Sequence, residues 1–298
     1  MARSHPPTLI TLVTRALREE CEVRRGTRVL LALSGGGDST ALLHVLALLA
    51  KKQGFALFAH GVDHGLREEA AAELDRAQAL CEALGVPFTR TAIALEPGGN
   101  LQARARDARR VALLDAAKAV AADRIATAHH ADDRAETVLL RLLRGAGPRG
   151  LAVLSPRAGV WIRPQGRARK SDIALHLARH GLAFSDDPSN LNRRFLRTRV
   201  RYELVPLLEQ LSPRIVEHLC ALADALGAEP QAEAALSLFD EQGVALLLNR
   251  AQRQLVGRAR AFGQRSARVS LAHGRELSLD PVTLEPELVA ARPRLRKR

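Results

Sequence analysis

Ser34-Gly35-Gly36-Gly37-Asp38-Ser39-Thr40 directly follows the apolar run Val29 to Leu33 and precedes a second apolar run, Ala41 to Ala50. This order predicts a buried strand, a glycine turn and a helix. The glycines would let backbone N–H groups approach a phosphate at the helix N-terminus. The segment is neither a Walker loop, which needs Lys before Ser or Thr, nor a Gly-x-Gly-x-x-Gly fingerprint. Taken alone, it is more simply a tight turn with Asp38 as the helix N-cap, so the rest of the chain must decide.

Strands and helices alternate on both sides of this segment. Apolar runs typical of buried strands recur between segments with apolar residues at helical spacing. Such alternation predicts an α/β fold, in which helices cover both faces of a parallel sheet. The expected elements are a helix around Leu9 to Leu17, the strand Val29 to Leu33, a strand near Phe55 to Val62, a helix near Glu68 to Leu84, a strand near Pro87 to Ala92, a helix near Leu101 to Ala121, a strand from Arg124 to Ala128 and a helix from Asp132 to about Gly145.

The next part of the chain is rich in turn-forming residues. Glycines and prolines recur from Gly145 to Gln165, which predicts a loop lying over the site. Ser171 is then expected to cap a short helix that ends at Gly181.

A change of pattern beyond Pro213 divides the chain into two expected domains. The 298 residues exceed the roughly 250 at which single cores stop growing. We therefore expect a domain of residues 1–212 and a smaller, mainly helical domain of residues 213–298. The segments behind this expectation are one amphipathic stripe from Ile215 to Leu226, a second from Leu236 to Leu248, and a terminal hairpin across Val269 to Leu279.

The chain carries a net charge of +13 and has a pI near 11.0. Because each phosphate neutralised by Lys or Arg releases counterions, this charge favours a nucleic-acid partner over the alternative, solubility alone. Aromatic residues make up only 3%, so recognition should rest on backbone charge, shape and one pocket. Three clusters support the partner: Arg141, Arg144, Arg149, Arg157, Arg163, Arg167, Arg169 and Lys170; Arg193, Arg194, Arg197, Arg199 and Arg201; and a basic tail of Arg292, Arg294, Arg296, Lys297 and Arg298.

Composition also bears on the compartment. No apolar stretch is long enough to span a membrane, and no signal peptide opens the chain, so we expect a cytosolic protein with no membrane partner. Cys21, Cys81 and Cys220 lie far apart and are typical of small buried apolar residues rather than of a disulfide or metal set. The oligomeric state is not predicted, and a homodimer is compatible with the sequence.

The glycine segment resembles the Ser-Gly-Gly-x-Asp-Ser signature of the N-type ATP pyrophosphatases, or PP-loop proteins. The resemblance implies a Rossmann-like fold of the adenine nucleotide alpha hydrolase type, with residues 1–212 as the ATP pyrophosphatase domain. It also implies that ATP is split between its α and β phosphates. Ser34, Gly35, Gly36, Gly37, Asp38 and Ser39 would then bind the phosphates, with Asp38 as the Mg²⁺ ligand.

Further segments resemble the tRNA(Ile)-lysidine synthetases, from about Arg28 to Leu208. The family attaches free L-lysine to C2 of the wobble cytidine in the isoleucine tRNA with a CAU anticodon, releasing AMP and pyrophosphate, which changes the tRNA from methionine to isoleucine specificity. Residues 213–298 would then be the tRNA-binding or substrate domain. The matching segments are His60 to Arg67, His129 to Thr137, Leu142 to Leu151, and Asp187 to Asn190 with Arg197, Arg199 and Arg201.

The second of these segments also has a physical logic. Asp133 and Glu136 are three residues apart on a predicted helix, so both carboxylates can face one ammonium. The resemblance implies that this pair recognises lysine, and either member could accept its proton. Charges that complement the helix dipole are the ordinary alternative, and Asp132 is equally well a helix cap.

Four other residues are candidates for the nucleotide site. By resemblance, Arg109 would contact an ATP phosphate or the adenylate, and Arg106 and His64 would bind the nucleotide. His129 would position ATP or substrate, although a lone histidine after a strand can also be a satisfied core group. A solvated helix face explains Arg104 and Arg110 better.

Some positions depart from the family pattern: Gln102, Arg110, Arg134, Gln165-Gly166 and Thr198. Two rival functions therefore remain. A PP-loop tRNA thiolase would share the loop but normally uses cysteines to deliver sulfur, and no Cys-x-x-Cys pair is present. A catalytically inactive RNA-binding homologue would explain the departures, but it would not explain the presence of Asp38, Asp133 and Glu136.

Overall fold

The structure is a computed structural model that describes residues 7–63, 69–93, 101–185 and 195–228, together with five short strands further along the chain. The chain divides into two compact units after Ala228. Within the described residues, no helix combines the length and apolar character needed to cross a membrane.

A six-stranded sheet forms the centre of the first unit. Its strands are β1 (Arg28–Leu33), β2 (Ala56–Asp63), β3 (Phe88–Ala92), β4 (Arg124–Ala126), β5 (Arg157–Ala158) and β6 (Trp161–Ile162). The strand order is β3-β2-β1-β4-β6-β5. β1 is parallel to β2 and β4, β2 to β3, and β4 to β6, while β5 pairs with β6 antiparallel. The predicted parallel sheet is therefore confirmed.

Helices cover this sheet on both faces, as the alternating pattern predicts. The described helices of the first unit are α1 (Leu9–Glu19), α2 (Gly37–Gln53), α3 (Glu69–Leu84), α4 (Leu101–Ala119), α5 (Ala131–Leu142), α6 (Pro148–Leu151), α7 (Lys170–His180), α8 (Leu196–Arg199), α9 (Val205–Leu211) and α10 (Ile215–Ala228), with a π-helical turn, Val200–Leu204, between α8 and α9.

The apolar run of β1 is unbroken because both of its faces are buried. Val29, Leu31 and Leu33 pack into a core with residues of α1, α2, α3 and α7. Leu30 points to the opposite face and packs with Ile125 of β4 and residues of α4. Alternate side chains of one strand thus enter two cores, which is the pattern of a sheet covered on both sides.

The segment from Gly145 to Gln165 differs from the predicted loop. It contains α6, β5 and β6, and β6 extends the sheet beyond β4, with Ile162 fully buried. Strands of two residues are too short to produce a recognisable alternation in the sequence.

The helix that follows begins earlier than predicted. Arg169 is the N-cap of α7, and its backbone N–H donates to the Asp172 carboxylate at 2.8 Å, so Ser171 lies inside the helix. The predicted end is confirmed, because Gly181 is the C-cap with φ of +58°.

The first unit extends past the expected boundary at residue 212 because α10 packs on α5. Val216, Leu219 and Ala223 of α10 are buried in one cluster with Ala135 and Val138 of α5. A helix that shares a core with the sheet domain belongs to that domain.

An ion network joins the same two helices. Arg134, with 2% of its side chain exposed, donates to the Val153 carbonyl at 3.0 Å and to the Asp224 carboxylate at 2.5 Å. Arg167 binds the other oxygen of Asp224 and also contacts Glu20. The network therefore connects α5, α10 and the end of α1.

The described parts of the second unit are strands. β7 (Leu238–Phe239) pairs antiparallel with β8 (Ala245–Leu246), and β9 (Arg268–Ser270), β10 (Arg275–Leu279) and β11 (Pro286–Ala290) form an antiparallel sheet. The predicted terminal hairpin is confirmed. The prediction of a helical stripe from Leu236 to Leu248 is wrong at β7 and β8, which are strands. The polar residues 240–243, of which the last is glycine, separate two short apolar runs, and this pattern fits a hairpin.

Arg134→Met tests the contribution of the buried network to stability. We expect the free energy of unfolding to fall by about 2 kcal/mol, because Asp224 loses one of two cations and the Val153 carbonyl loses its donor. Urea unfolding followed by circular dichroism measures the change. In the control, Arg15→Met breaks an exposed pair with Glu19, which solvent screens, and should leave the free energy of unfolding almost unchanged. Equal losses of unfolding free energy in the two variants would contradict a stabilising role of the buried network.

Candidate active site

The glycine segment forms the turn between β1 and α2. Gly35 has φ of +80°, and a Cβ at this position would lie 2.7 Å from the carbonyl oxygen of Glu73. Only glycine satisfies both the backbone angle and the space. The Ser39 hydroxyl accepts a hydrogen bond from the Ser34 N–H at 3.2 Å and donates one to the Gly36 carbonyl at 3.0 Å. These bonds close the turn and hold the start of α2.

Asp38 lies inside the first turn of α2. The helix begins at Gly37, its N-cap is Gly36, and no side chain caps it, so the alternative in which Asp38 is the cap is wrong. Asp38 Oδ1 is 2.5 Å from Lys170 Nζ, and Oδ2 is 3.7 Å from His130 Nε2. An uncapped helix N-terminus beside a lysine can bind an anionic group.

The order of the strands reverses between β1 and β4, and ligands of open α/β sheets bind at the carboxyl ends of strands at such a point. The glycine turn follows β1, and His129-His130 follows β4. His60 to Asp63, the described part of the segment that begins at His60, form the end of β2, which lies on the other side of β1 from β4. His60 itself is buried, with Nδ1 2.7 Å from Thr89 Oγ1. His64 lies outside the described residues.

A histidine rather than an aspartate caps α5. His130 is the N-cap; its Nδ1 accepts from the Asp133 N–H at 3.4 Å, and its own N–H donates to the Asp133 carboxylate at 3.2 Å. Asp132 instead accepts from the Arg169 guanidinium at 2.8 Å and from the Lys170 backbone N–H at 2.8 Å. The cap interpretation of Asp132 is therefore wrong.

The two predicted carboxylates, those of Asp133 and Glu136, are brought together by shared cations. Arg197 contacts Asp133 Oδ1 at 3.2 Å and Glu136 Oε2 at 3.1 Å. Arg201 contacts both oxygens of Glu136, at 2.5 and 3.0 Å, and lies 3.4 Å from Asp133 Oδ1. Glu136 is only 2% exposed. One face of α5 thus presents a carboxylate pair that holds cations.

Adjacent histidines in this site have opposite shifts of pKa. Burial lowers the pKa of His129 to about 4, and its Nδ1 is 3.0 Å from the Thr127 hydroxyl. Burial also disfavours the charged form of His130, but Asp132, Asp133 and Asp38 outweigh it and raise the pKa of His130. Burial disfavours the charged form of Asp133, but the cationic groups of His130 and Arg197 outweigh it and lower the pKa of Asp133.

The predicted arginines of α4 differ in their surroundings. Burial lowers the pKa of Arg109, whose charge also contributes to the lowered pKa of His129. Within the described residues, Arg109 forms no hydrogen bond or ion pair. Arg106 is exposed on the same helix. Arg110 is exposed, as the solvated-face interpretation predicts, and its guanidinium also stacks over the Trp161 ring, with 5.1 Å from Cζ to the ring centroid.

Comparison with known proteins identifies this arrangement. The family model of the PP-loop domain matches residues 9–208. A tRNA(Ile)-lysidine synthase of Thermobifida fusca (strain YX) is 38% identical over 226 residues, which cover 75% of this chain and 70% of that protein. The chain belongs to the tRNA(Ile)-lysidine synthase family.

Other members of the tRNA(Ile)-lysidine synthase family are longer. The synthase of Pseudomonas fluorescens (strain Pf0-1) is 44% identical over 183 residues, covering 60% of this chain and 41% of that protein. The synthase of Xanthomonas axonopodis pv. citri (strain 306) is 40% identical over 225 residues, covering 74% of this chain and 49% of that protein. The chain therefore spans about half the length of these relatives, or less.

A solved structure shows the same fold. The U34-tRNA thiolase NcsA from Methanococcus maripaludis, solved with its [4Fe-4S] cluster, superposes with a TM-score of 0.62 at 20% identity. The match covers 74% of this chain and 80% of that chain. At this level of identity the likeness shows that the two chains share a fold.

Two departures from the family pattern have structural roles. Gln165 is fully buried, and its Nε2 donates to the Ala128 carbonyl at 2.8 Å and to the Asp38 carbonyl at 3.2 Å. It therefore ties the end of β4 to the start of α2. Arg134 belongs to the buried network described above. The Gln102 side chain and the segment 187–190 lie outside the described residues.

Several basic residues expected to form a free surface make ion pairs or hydrogen bonds with other residues of the chain. Sequence clustering overstated the exposed basic area, because their partners come from distant parts of the chain. The engaged side chains are Arg163, Arg167, Arg169, Lys170, Arg197 and Arg201, of which Lys170 and Arg197 are still exposed. Arg141, Arg144, Arg149 and Arg157 are exposed as expected, although Arg141 also donates to the Gly150 carbonyl and Arg157 pairs with Glu22. The basic tail lies outside the described residues.

The need for glycine at Gly35 can be tested with a matched variant. Gly35→Ala should abolish ATP binding and lower the free energy of unfolding by about 2 kcal/mol more than Gly26→Ala. Gly26 has a similar φ of +85° with open space around its Cβ position, so its variant carries only the backbone strain of about 1 kcal/mol. Calorimetric titration with ATP and urea unfolding measure both effects. Similar ATP binding and similar stability of the two variants would contradict the close approach of Gly35 to the Glu73 carbonyl.

The two adjacent histidines should titrate on opposite sides of the ordinary value of 6.5. NMR of histidine-labelled protein should show His129 protonating only near pH 4 and His130 already protonating above 6.5. Asp133→Asn should lower the pKa of His130, because one of the charges that raise it is removed. Closely similar titrations of the two rings would contradict the described electrostatics.

Proposed function

We propose that the chain ligates free L-lysine to C2 of the wobble cytidine of the isoleucine tRNA with a CAU anticodon. The C2 oxygen of the base attacks the α-phosphorus of ATP and pyrophosphate leaves. The lysine ε-amine then attacks C2, the C2–O bond breaks, and AMP leaves with that oxygen. The product, lysidine, changes the tRNA from methionine to isoleucine specificity, as expected for the family named above.

One observation carries the proposal: a single imidazole joins the phosphate turn to the carboxylate pair. His130 Nε2 is 3.7 Å from Asp38 Oδ2 and 3.5 Å from Asp133 Oδ2. A base adenylated at the glycine turn would therefore lie beside the group that binds the attacking amine, and positioning of this kind lowers the barrier of a two-substrate reaction.

The carboxylate pair supports recognition of an amine. Arg197 is 46% exposed and makes one contact with each carboxylate, so it is the cation that a lysine ammonium can replace. Arg201 holds Glu136 through two hydrogen bonds and would stay. In this exchange the lysine ammonium takes the place of the Arg197 guanidinium beside the carboxylates. The ammonium can lose a proton and become a nucleophilic amine, whereas a guanidinium keeps its protons.

The amine must lose a proton before it attacks. With a pKa near 10.4, it is neutral in only about one molecule in 2,500 at pH 7. Asp133 is held ionised by its lowered pKa, which favours it as the charge partner and makes it a weak proton acceptor. We therefore assign binding of the ammonium to both carboxylates, and its proton passes to one of these two groups.

The phosphate side of the site fits a magnesium-bound nucleotide. Asp38 supplies one carboxylate beside an uncapped helix N-terminus, and the Gly35 turn leaves no room for a side chain. Mg²⁺ is usually held by one or two carboxylates together with phosphate oxygens, so Asp38 would be its protein ligand and Lys170 would turn to a phosphate. Arg109 would contact the α-phosphate, and Arg106, His129 and His64 would contact the rest of the nucleotide.

The cysteines argue against the thiolase alternative. All three are free and buried. Burial raises the pKa of Cys21 and Cys81 to about 12 and that of Cys220 to about 11, so each thiol stays protonated at neutral pH. Sulfur delivery needs a thiolate that substrates can reach.

A direct assay tests the proposed reaction. The full chain is incubated with ATP, labelled lysine and transcripts of the isoleucine tRNA, with an elongator methionine tRNA as the control substrate. We expect label to enter only the isoleucine tRNA, with one pyrophosphate released per lysine. Sulfur incorporation, or tRNA binding without any incorporation of lysine, would contradict the proposal.

Variants separate the two halves of the site. Asp38→Ala should stop pyrophosphate release while tRNA still binds, and Asp75→Ala, which breaks an exposed pair with Arg90, is the matched control. Glu136→Gln should raise the KM for lysine by about 30-fold or more, since hydrogen bonds to charged groups contribute about 2 kcal/mol, while ATP binding is kept. Undiminished turnover of Asp38→Ala would refute its role.

A further inference from the structure

Three histidine rings meet between α2 and α7, away from the carboxylates of the candidate active site. His44 comes from α2, and His176 and His180 are one turn apart on the same face of α7. Their ring centroids are 4.5, 4.6 and 5.1 Å apart. His176 is buried, His44 is partly buried and His180 is exposed, so the cluster lies at the protein surface with one open side.

We propose that His44, His176 and His180 form a binding site for one divalent transition-metal ion, with Zn²⁺ as its principal ligand. One nitrogen of each ring can be chosen so that all three lie within 4.8 Å of one another, and His44 Nδ1 is 3.0 Å from His176 Nε2. Tetrahedral Zn²⁺ with bonds near 2.0–2.1 Å places its ligand nitrogens about 3.3 Å apart. Rotation of the exposed His180 side chain suffices to close the set.

The chemistry of the donors selects the class of metal. Imidazole nitrogens suit Zn²⁺, Ni²⁺, Co²⁺ and Cu²⁺, whereas Mg²⁺ and Ca²⁺ require oxygen ligands. Three histidines also leave a fourth position for water.

Packing of neutral rings is the alternative explanation for the cluster, but it does not explain why three histidines, rather than two, come together. A stacked or edge-to-face pair would satisfy two rings, but here three rings are mutually tilted by 43 to 54°, and one nitrogen of each ring lies within 4.8 Å of a nitrogen of both others. The hydrogen bond between His44 and His176 requires one ring nitrogen to donate and the other to accept. It therefore fixes the tautomers of these two rings but leaves His180 without a role. A shared metal uses one lone pair from every ring.

The position of the cluster gives such a metal a structural consequence. α2 begins with Asp38 and α7 begins with Lys170, and these two side chains are paired. His44 and His176 each lie roughly two helical turns further along their helices. A bound ion would therefore tie α2 to α7 behind the phosphate turn. This inference does not depend on the proposed ligase reaction.

The test uses the full chain without a histidine tag, stripped with EDTA and dialysed. Calorimetric titration with Zn²⁺ in buffer containing excess Mg²⁺, without ATP or tRNA, should show one equivalent bound. Co²⁺ should give the visible absorption of a tetrahedral complex. Zn²⁺ should also raise the Tm, because only the folded chain presents the complete site.

The matched variants are His180→Asn and His218→Asn, which both replace an exposed helical histidine. We expect His180→Asn to raise the Kd for Zn²⁺ at least about tenfold and to remove the Co²⁺ absorption, with an unchanged circular dichroism spectrum. His218→Asn should bind as the unmodified chain does. Absence of saturable binding, or equal binding by His180→Asn, would overturn the proposal whether or not the protein makes lysidine.

Discussion

The candidate site depends on the neutralisation of carboxylates that are crowded at the starts of two helices. Asp38 lies in the first turn of α2, and Asp132, Asp133 and Glu136 lie in the first turns of α5. Like charges this close repel one another strongly where solvent is partly excluded. Each carboxylate has a cationic partner, and the partners come from later in the chain: Arg169, Lys170, Arg197 and Arg201.

This charge balance couples the fold to the chemistry. These cations belong to α7, α8 and the π-helical turn, and their ion pairs hold those segments against the carboxyl edge of the sheet. They therefore complete the site as well as neutralise its carboxylates. It also explains why Asp133 has a lowered pKa and His130 a raised one. A substrate ammonium or a phosphate can bind by exchanging with a charge that is already present, which avoids exposing an unpaired buried ion.

The sequence predicts those features of the fold that local patterns encode. The unbroken apolar run of β1 indicates a strand buried on both faces, and the glycines after it indicate a turn. The helical period of 3.6 residues places Asp133 and Glu136 on one face. It does not predict the partners of these groups, because contacts such as Arg197 with Glu136 join residues far apart in the chain. Gln165 looked like a departure from the family pattern, and only its two hydrogen bonds show that it supports the site. His130 was part of a matched segment, but its role between Asp38 and Asp133 required the fold.

The central claim is that ATP activates the carbonyl of a base, which an amine then attacks. The most direct measurement uses isoleucine tRNA carrying ¹⁸O at C2 of the wobble cytidine, followed by mass analysis of the AMP released with lysine and ATP. The described chemistry predicts one ¹⁸O atom in AMP for each lysine attached, because the base oxygen bonds to the α-phosphorus and leaves with it. Unlabelled AMP, with ¹⁸O retained in the tRNA, would contradict it.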